Sequence, residues 1–144
     1  MREKIVQEAR SWLDTPFRHG AGVKGAGCDC AHLITEVYFA LGLIPKIEFP
    51  IYGPDWFLHA EDPERYIVET AKKYFDEIAA SEAQPGDWVT LYMGKAFAHC
   101  AIITGPKTVV EAWPSRSKVS EINTSEERNH RNRAKRYFRA RGIV

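Results

Sequence analysis

Cysteine is scarce in this chain, with three in 144 residues. So few thiols exclude a disulfide scaffold, and an odd number leaves at least one of them free. Net charge is nearly absent as well: 20 Lys and Arg face 19 Asp and Glu, giving +1. That balance gives no whole-chain argument for nucleic acid or for an acidic partner. No apolar run, the longest lying near Val37 to Ile44, approaches the roughly 20 residues of a membrane span. The start, Met1-Arg2-Glu3-Lys4, is charged, and no leader-like apolar segment of about 7–15 residues follows it. This predicts synthesis in the cytoplasm without a signal peptide. Repeats and low-complexity linkers are missing too. What is present is ordinary: 44% apolar residues, 27% charged, and a length suited to a single domain over residues 1–144 with its own core.

The first half reads as helices and the second as strands. Ile5, Ala9, Trp12 and Leu13 keep a 3.6-residue period, so a helix is predicted over 2–13. Four glycines within 20–27 mark a loop. Cys30, Leu33, Ile34, Val37, Tyr38 and Leu41 form a second apolar stripe, capped by Asp29 and stopped by Gly42 and Pro45. Asp62 and Pro63 open a third helix running to Phe75. After Gln84-Pro85-Gly86 the period becomes two, predicting strands at 88–93, 98–104, 109–113 and 119–122. Thr124-Ser125-Glu126-Glu127 has the form of a capping box opening a short helix, and Tyr137-Phe138 suits a last strand. Helices followed by strands argue for an α+β domain with a mostly antiparallel sheet.

Gly27-Cys28-Asp29-Cys30 places Cys30 in the first turn of the second helix. Free N–H groups and the positive end of the helix dipole stabilise a thiolate there, and the same N–H groups can receive an oxyanion. Cys30 is therefore a nucleophile candidate, balanced against the alternative of a small core residue on the stripe. Cys28 has no helix behind it and reads as a packed thiol. A bond between Cys28 and Cys30 would close a strained ring.

A thiolate used for acyl transfer needs a histidine. Of His19, His32, His59, His99 and His130, only His99 sits inside an apolar strand. The turn at Gly105-Pro106-Lys107 predicts Thr104 opposite Thr108, hence Ala101 opposite Glu111. Glu111 then shares a face with His99 at a diagonal position, within reach of long side chains. A slip of one residue would separate them. A carboxylate there can hold the imidazole's tautomer, the third role of a catalytic triad.

These residues carry a family resemblance. The sequence resembles the NlpC-type cell-wall peptidases, papain-like cysteine hydrolases, and their bacteriophage subgroup most of all. The matching stretches are Trp12-Leu13-Asp14-Thr15-Pro16-Phe17-Arg18-His19, Val23 through Cys30, Gln84-Pro85-Gly86-Asp87, and His99 through Gly105. The resemblance implies a central antiparallel sheet of about five strands with the N-terminal helices, including the nucleophile helix, packed on it. It implies hydrolysis of amide bonds in peptidoglycan stem peptides, near γ-D-glutamyl–diamino acid links. Cys30 matches the nucleophile, His99 the base and Glu111 the polar third residue. His19, Asp29 and Arg18 are candidates for oxyanion stabilisation or substrate positioning. Two positions depart from the pattern: Glu111 stands where histidine is frequent, and Phe17 where tyrosine is common. No cofactor or metal is expected. The phage likeness implies delivery to the bacterial wall by a tail, whose components are then partners, or release at lysis.

Three other classes compete. A metal module would use Cys28, Cys30, His32, His99 or Cys100, although Cys-x-Cys-x-His is not a usual zinc spacing. Residues 128–141 hold seven basic residues and no acidic one, leaving −6 on the rest of the chain. Such a stretch can bind polyanions, or simply be a solvated, partly helical face. An acyltransferase or thioesterase would use the same Cys–His pair.

Overall fold

A computed structural model describes residues 1–144. Helix α1 spans Arg2–Arg10 and buries Ile5, Val6 and Ala9. The expected helix to residue 13 ends early. Trp12 and Leu13 instead donate to the Ala9 and Arg10 carbonyls in tight turns, and Asp14 closes the segment at φ +70°. Strands β1 (Gly22–Val23) and β2 (Gly27–Cys28) pair as a small hairpin within the glycine-rich loop. Helix α2 covers Cys30–Ala40 and buries Leu33, Ile34, Val37 and Tyr38, as the apolar stripe predicts.

The single-turn helix α3 (Trp56–His59) interrupts the long connection to α4 (Ile67–Tyr74). Helix α4 is shorter at both ends than the expected 63–75. Tyr66 takes φ +66°, which breaks the helix before Ile67 and turns its ring against Trp56 at 4.9 Å. Phe75 leaves the helix to pair with Ala140.

The remaining strands are β3 (Phe75–Ile78), β4 (Trp88–Met93), β5 (Ala96–Ile103), β6 (Thr108–Ala112), β7 (Val119–Asn123) and β8 (Lys135–Ala140). They form a six-stranded sheet in the order β3-β8-β4-β5-β6-β7, one strand more than expected, and every pairing in it is antiparallel. The extra strand is β3, which lacks a clean alternation in sequence and owes its conformation to β8. The helix expected at 124–127 does not form. Asn123 Oδ1 accepts from the Ser125 N–H at 3.0 Å, so a local turn wins over the capping box.

The predicted register holds, with Ala101 opposite Glu111. Alternation then separates two faces. Cys100, Ile102 and Val110 belong to the large core under α2. Ala101, Val89, Leu91 and Val109 form a smaller cluster on the opposite face, the face that also carries His99 and Glu111. The Pro85-Gly86-Asp87 corner is held by charge. The buried Asp87 carboxylate accepts from Arg2 at 3.0 Å and from Arg139 at 2.9 and 3.0 Å. Gly86, at φ +96°, lies where a Cβ would stand 3.2 Å from the Arg2 backbone, so only glycine suits the corner.

Candidate active site

Asp29 caps α2 as expected, accepting the His32 N–H at 2.9 Å. Its carboxylate also takes the His32 ring at 2.7 Å, the Gly20 N–H at 2.9 Å and the Tyr52 hydroxyl. All its strong acceptor directions serve to tie the glycine loop, α2 and the Tyr52 loop together. Burial pushes the Asp29 carboxyl up, but hydrogen bonds from His32 and Tyr52 outweigh it and hold the pKa below its usual value. Asp29 thus anchors the nucleophile helix, a positioning role one step removed from substrate.

The cap leaves Cys30 at the first helical position, where the N–H groups of Cys30 and Ala31 have no intrahelical carbonyl to meet. The Cys30 sulfur lies over the β5 backbone, 3.5 Å from the Ala98 carbonyl oxygen. There it sits between Cys100, which points toward α2, and His99, in the middle of β5. Hydrogen bonding with the Cys100 thiol lowers the Cys30 pKa most; burial opposes it, and His99 lowers it further, to about 5. Burial pushes the other two thiols up, Cys28 to about 12 and Cys100 well above the normal range. Only one of the three thiols is therefore in a state to react near neutral pH.

Burial by itself would depress His99, but Cys30 and Glu111 both favour imidazolium and raise it to about 9. The ring packs against Trp113 with centroids 4.0 Å apart. His99 Nε2 lies 2.8 Å from Glu111 Oε1. Burial pushes the Glu111 carboxyl up, yet hydrogen bonds from His130 and His99 reverse this and leave it at about 2. An ionised carboxylate only accepts, so Nε2 carries the proton and Nδ1 is left to serve the sulfur. The diagonal pairing read from strand parity is therefore present.

His130 was not singled out in the sequence. Its Nε2 lies 2.7 Å from the same Glu111 Oε1, and its residue is 3% exposed. It sits in an aperiodic turn segment between β7 and β8, where no pattern marks a buried histidine. The nearest signal is its place as the one histidine in a run of arginines. The three side chains place their donor atoms within 4.8 Å of one another, a donor set that can in principle hold a metal. Zinc with bonds of about 2.0 Å spaces tetrahedral ligands about 3.3 Å apart. The observed 2.7 and 2.8 Å are hydrogen-bond lengths, and we read the group as hydrogen-bonded.

Cys30 and His99 open into a cleft of about 250 Å³. One wall is the aromatic cluster of Phe49, Tyr52, Trp56, Phe57 and Tyr66, with Phe17 and Trp113 nearby. Tyr52, also unforeseen, lines the same cleft as Phe17, and its hydroxyl donates to Asp29. His19 rims the cleft, but its Nε2 is engaged with the Tyr52 carbonyl at 2.7 Å and stabilises that loop. Arg18 does not enter the cleft. Its side chain crosses Gly27, where a Cβ would come within 2.3 Å of Arg18 Cδ, and its Nε donates to the Ala26 carbonyl at 3.0 Å. Lys24 pairs with Glu8 at 2.6 Å.

The basic stretch is not a partly helical face. Much of it is β8, and the three arginines of its C-terminal part are paired with acids: Arg136 with Glu64 and Glu77, Arg139 with Asp87, and Arg141 with Asp76. The acidic body therefore meets part of the basic segment directly, through these three arginines.

The sequence profile of the NlpC/P60 family matches residues 14–141. No curated protein matches the chain. Among solved structures, the NlpC/p60 domain of the peptidoglycan hydrolase SagA superposes with a TM-score of 0.62 at 18% identity, covering 94% of this chain and 97% of that one. The peptidoglycan hydrolase RipB of Mycobacterium tuberculosis gives 0.64 at 17%, over 96% and 64%. NlpC1 of Trichomonas vaginalis gives 0.64 at 15%, over 96% of this chain and 43% of that longer one. These likenesses show a shared papain-like NlpC/P60 fold.

Proposed function

Since the chain belongs to the NlpC/P60 family, we propose that it is a cysteine endopeptidase of peptidoglycan stem peptides, cutting near the γ-D-glutamyl–diamino acid amide. The observation that carries this is geometric: Cys30 opens α2 on a cleft shared with His99, whose Nε2 is held 2.8 Å from the buried Glu111 carboxylate, and the pair draws the Cys30 thiol down to about 5 and His99 up to about 9. Two structural relatives, SagA and RipB, are named peptidoglycan hydrolases, which supports the substrate class.

The chemistry follows from the geometry. The Cys30 thiolate attacks the amide carbonyl, and the oxyanion forms beside the Cys30 N–H at the start of α2. The C–N bond breaks as His99 gives its proton to the leaving amine. Water then attacks the thioester while His99 takes its proton. The C–S bond breaks, releasing the carboxylate and restoring the thiolate. Glu111 keeps His99 in the required tautomer throughout.

The test is mass spectrometry of defined muropeptides incubated with the protein and with Cys30→Ala. Cleavage by the wild type alone is expected, and cleavage by Cys30→Ala overturns the assignment. The aromatic wall favours a second reading, acyl transfer or thioester hydrolysis on an apolar acyl group. Turnover of acyl thioesters with muropeptides left intact would select it. We further propose, on the likeness to the bacteriophage subgroup, that the chain reaches the wall by tail delivery or lysis. Its detection in purified virions tests the first route.

A further inference from the structure

The proposed mechanism leaves one buried group unused. His130 is as buried as the His99–Glu111 pair, at 3% exposure against 4% for His99 and 2% for Glu111. No element of regular structure holds it. A chain of turns does so, in which the His130 N–H donates to the Glu127 carbonyl at 3.1 Å, Arg116 pairs with Glu127, and Arg133 donates to the Asn129 carbonyl at 2.7 Å. These contacts bring the ring edge-on to His99, with centroids 6.0 Å apart and planes at 85°. Both Nε2 atoms then point at one carboxylate oxygen rather than at one each.

That convergence has a chemical consequence. Glutamate is a stronger partner for imidazolium than a neutral side chain in the same place. Left alone with His99, the Glu111 carboxylate would hold the proton too firmly, and His99 must give that proton to the leaving amine. A second donor on the same oxygen withdraws charge from it and fixes its position.

We propose that His130 is a positioning residue of the active site, donating its Nε2–H to Glu111 Oε1 so that the carboxylate orients His99 without making it too weak an acid. The inference rests on the hydrolase reading for its role in turnover, but its effect on the Cys30–His99 pair can be read without substrate. Besides Glu111, the titratable groups acting on this pair are Asp29 and Cys100, and His130 reaches it through Glu111. The basic residues beside His130 are otherwise engaged: Arg131 donates to the Ser125 carbonyl at 3.1 Å and Arg133 to Tyr92 at 3.2 Å.

The experiment compares His130→Gln, which keeps an N–H donor near the Nε2 position, with His130→Leu, which removes it, and with His130→Asn, whose shorter amide does not reach Glu111. Each is assayed on muropeptides for kcat, KM and pH profile. Each is also assayed for the pH dependence of Cys30 alkylation, which needs no turnover. His130→Gln is expected within about threefold of wild type. His130→Leu and His130→Asn are expected to lose about tenfold or more in kcat with KM unchanged. Their alkaline limb should move to higher pH, because His99 holds its proton more tightly. Their Cys30 alkylation should begin at lower pH for the same reason. Wild-type kcat and an unmoved alkylation profile in His130→Leu overturn the proposal, and His130→Asn decides it if His130→Leu does not fold. Equal loss in His130→Gln and His130→Asn, with both profiles unmoved, also overturns it and leaves His130 a packing residue. If the wild type cleaves no muropeptide, the hydrolase reading fails, and the alkylation profiles still decide whether His130 acts on the pair.

Discussion

Cys28 and Cys30 stand two residues apart and end in opposite chemical states. Cys28 closes a small hairpin, is fully buried, and its thiol is pushed up to about 12. Cys30 opens a helix, lies half-buried at the floor of a cleft, and is drawn down to about 5. Asp29 raises both thiols through its charge, so the carboxylate between them is not what tells them apart. The difference comes from what surrounds each sulfur: for Cys28 the apolar core, for Cys30 a second thiol and an imidazole carried by β5. Reactivity here is built across the chain, not along it.

The largest test of that contrast is replacement. Cys30→Ala is expected to lower muropeptide hydrolysis on the order of 10⁴-fold or more. Cys28→Ala should keep the rate and lose stability, by about 1–2 kcal/mol for a small buried side chain. Urea denaturation alongside the assay separates the two. A large rate loss in Cys28→Ala with native stability would break the comparison.

Glu111→Gln comes next. It keeps an oxygen toward both histidines but removes the charge, and is expected to cost about 10²–10⁴-fold in kcat. An unchanged rate would remove Glu111 from the triad.

How much of this was legible in sequence follows the same division between local and distant causes. Helix α2, its cap and the cysteine at its start are local, and Asp29-Cys30 followed by an apolar stripe announces them. The His99–Glu111 pair is distant in sequence but only one hairpin away, so strand parity and a three-residue turn were enough to find it. His130 and Tyr52 lie on segments with neither period, placed by side-chain hydrogen bonds and ring packing that no spacing encodes. Strand β3 was hidden for a related reason: its pairing partner β8 is far along the chain, and Asp76 and Glu77 are exposed on a strand with no alternating pattern.

The pH dependence sharpens the contrast further. Below about 5 the Cys30 thiol is protonated, and above about 9 His99 has no proton for the leaving amine. Hydrolysis should therefore form a plateau between these limits, which belong to the coupled pair. Iodoacetamide at pH 6.5 should modify Cys30 in the native protein and leave Cys28 and Cys100 untouched until unfolding. Peptide mapping by mass spectrometry reads this directly. Modification of Cys28 at a similar rate would mean that burial does not protect it.

The smallest effect is expected from the residue the two cysteines share. Asn is as good an N-cap as Asp, so Asp29→Asn keeps the acceptor for the His32 N–H while removing the negative charge. With that charge gone, both thiols should titrate lower. The shift at Cys30 should be modest, a few tenths of a pH unit in the alkylation profile, because the Asp29 charge ranks last among the influences on that thiol. Stability should fall by less than about 1 kcal/mol if capping is the main contribution of the side chain, and by more if the links to Gly20 and Tyr52 matter equally. A rise in the pH needed for Cys30 alkylation would show that the carboxylate acts by holding the helix start in place, and that geometry outweighs charge at this position.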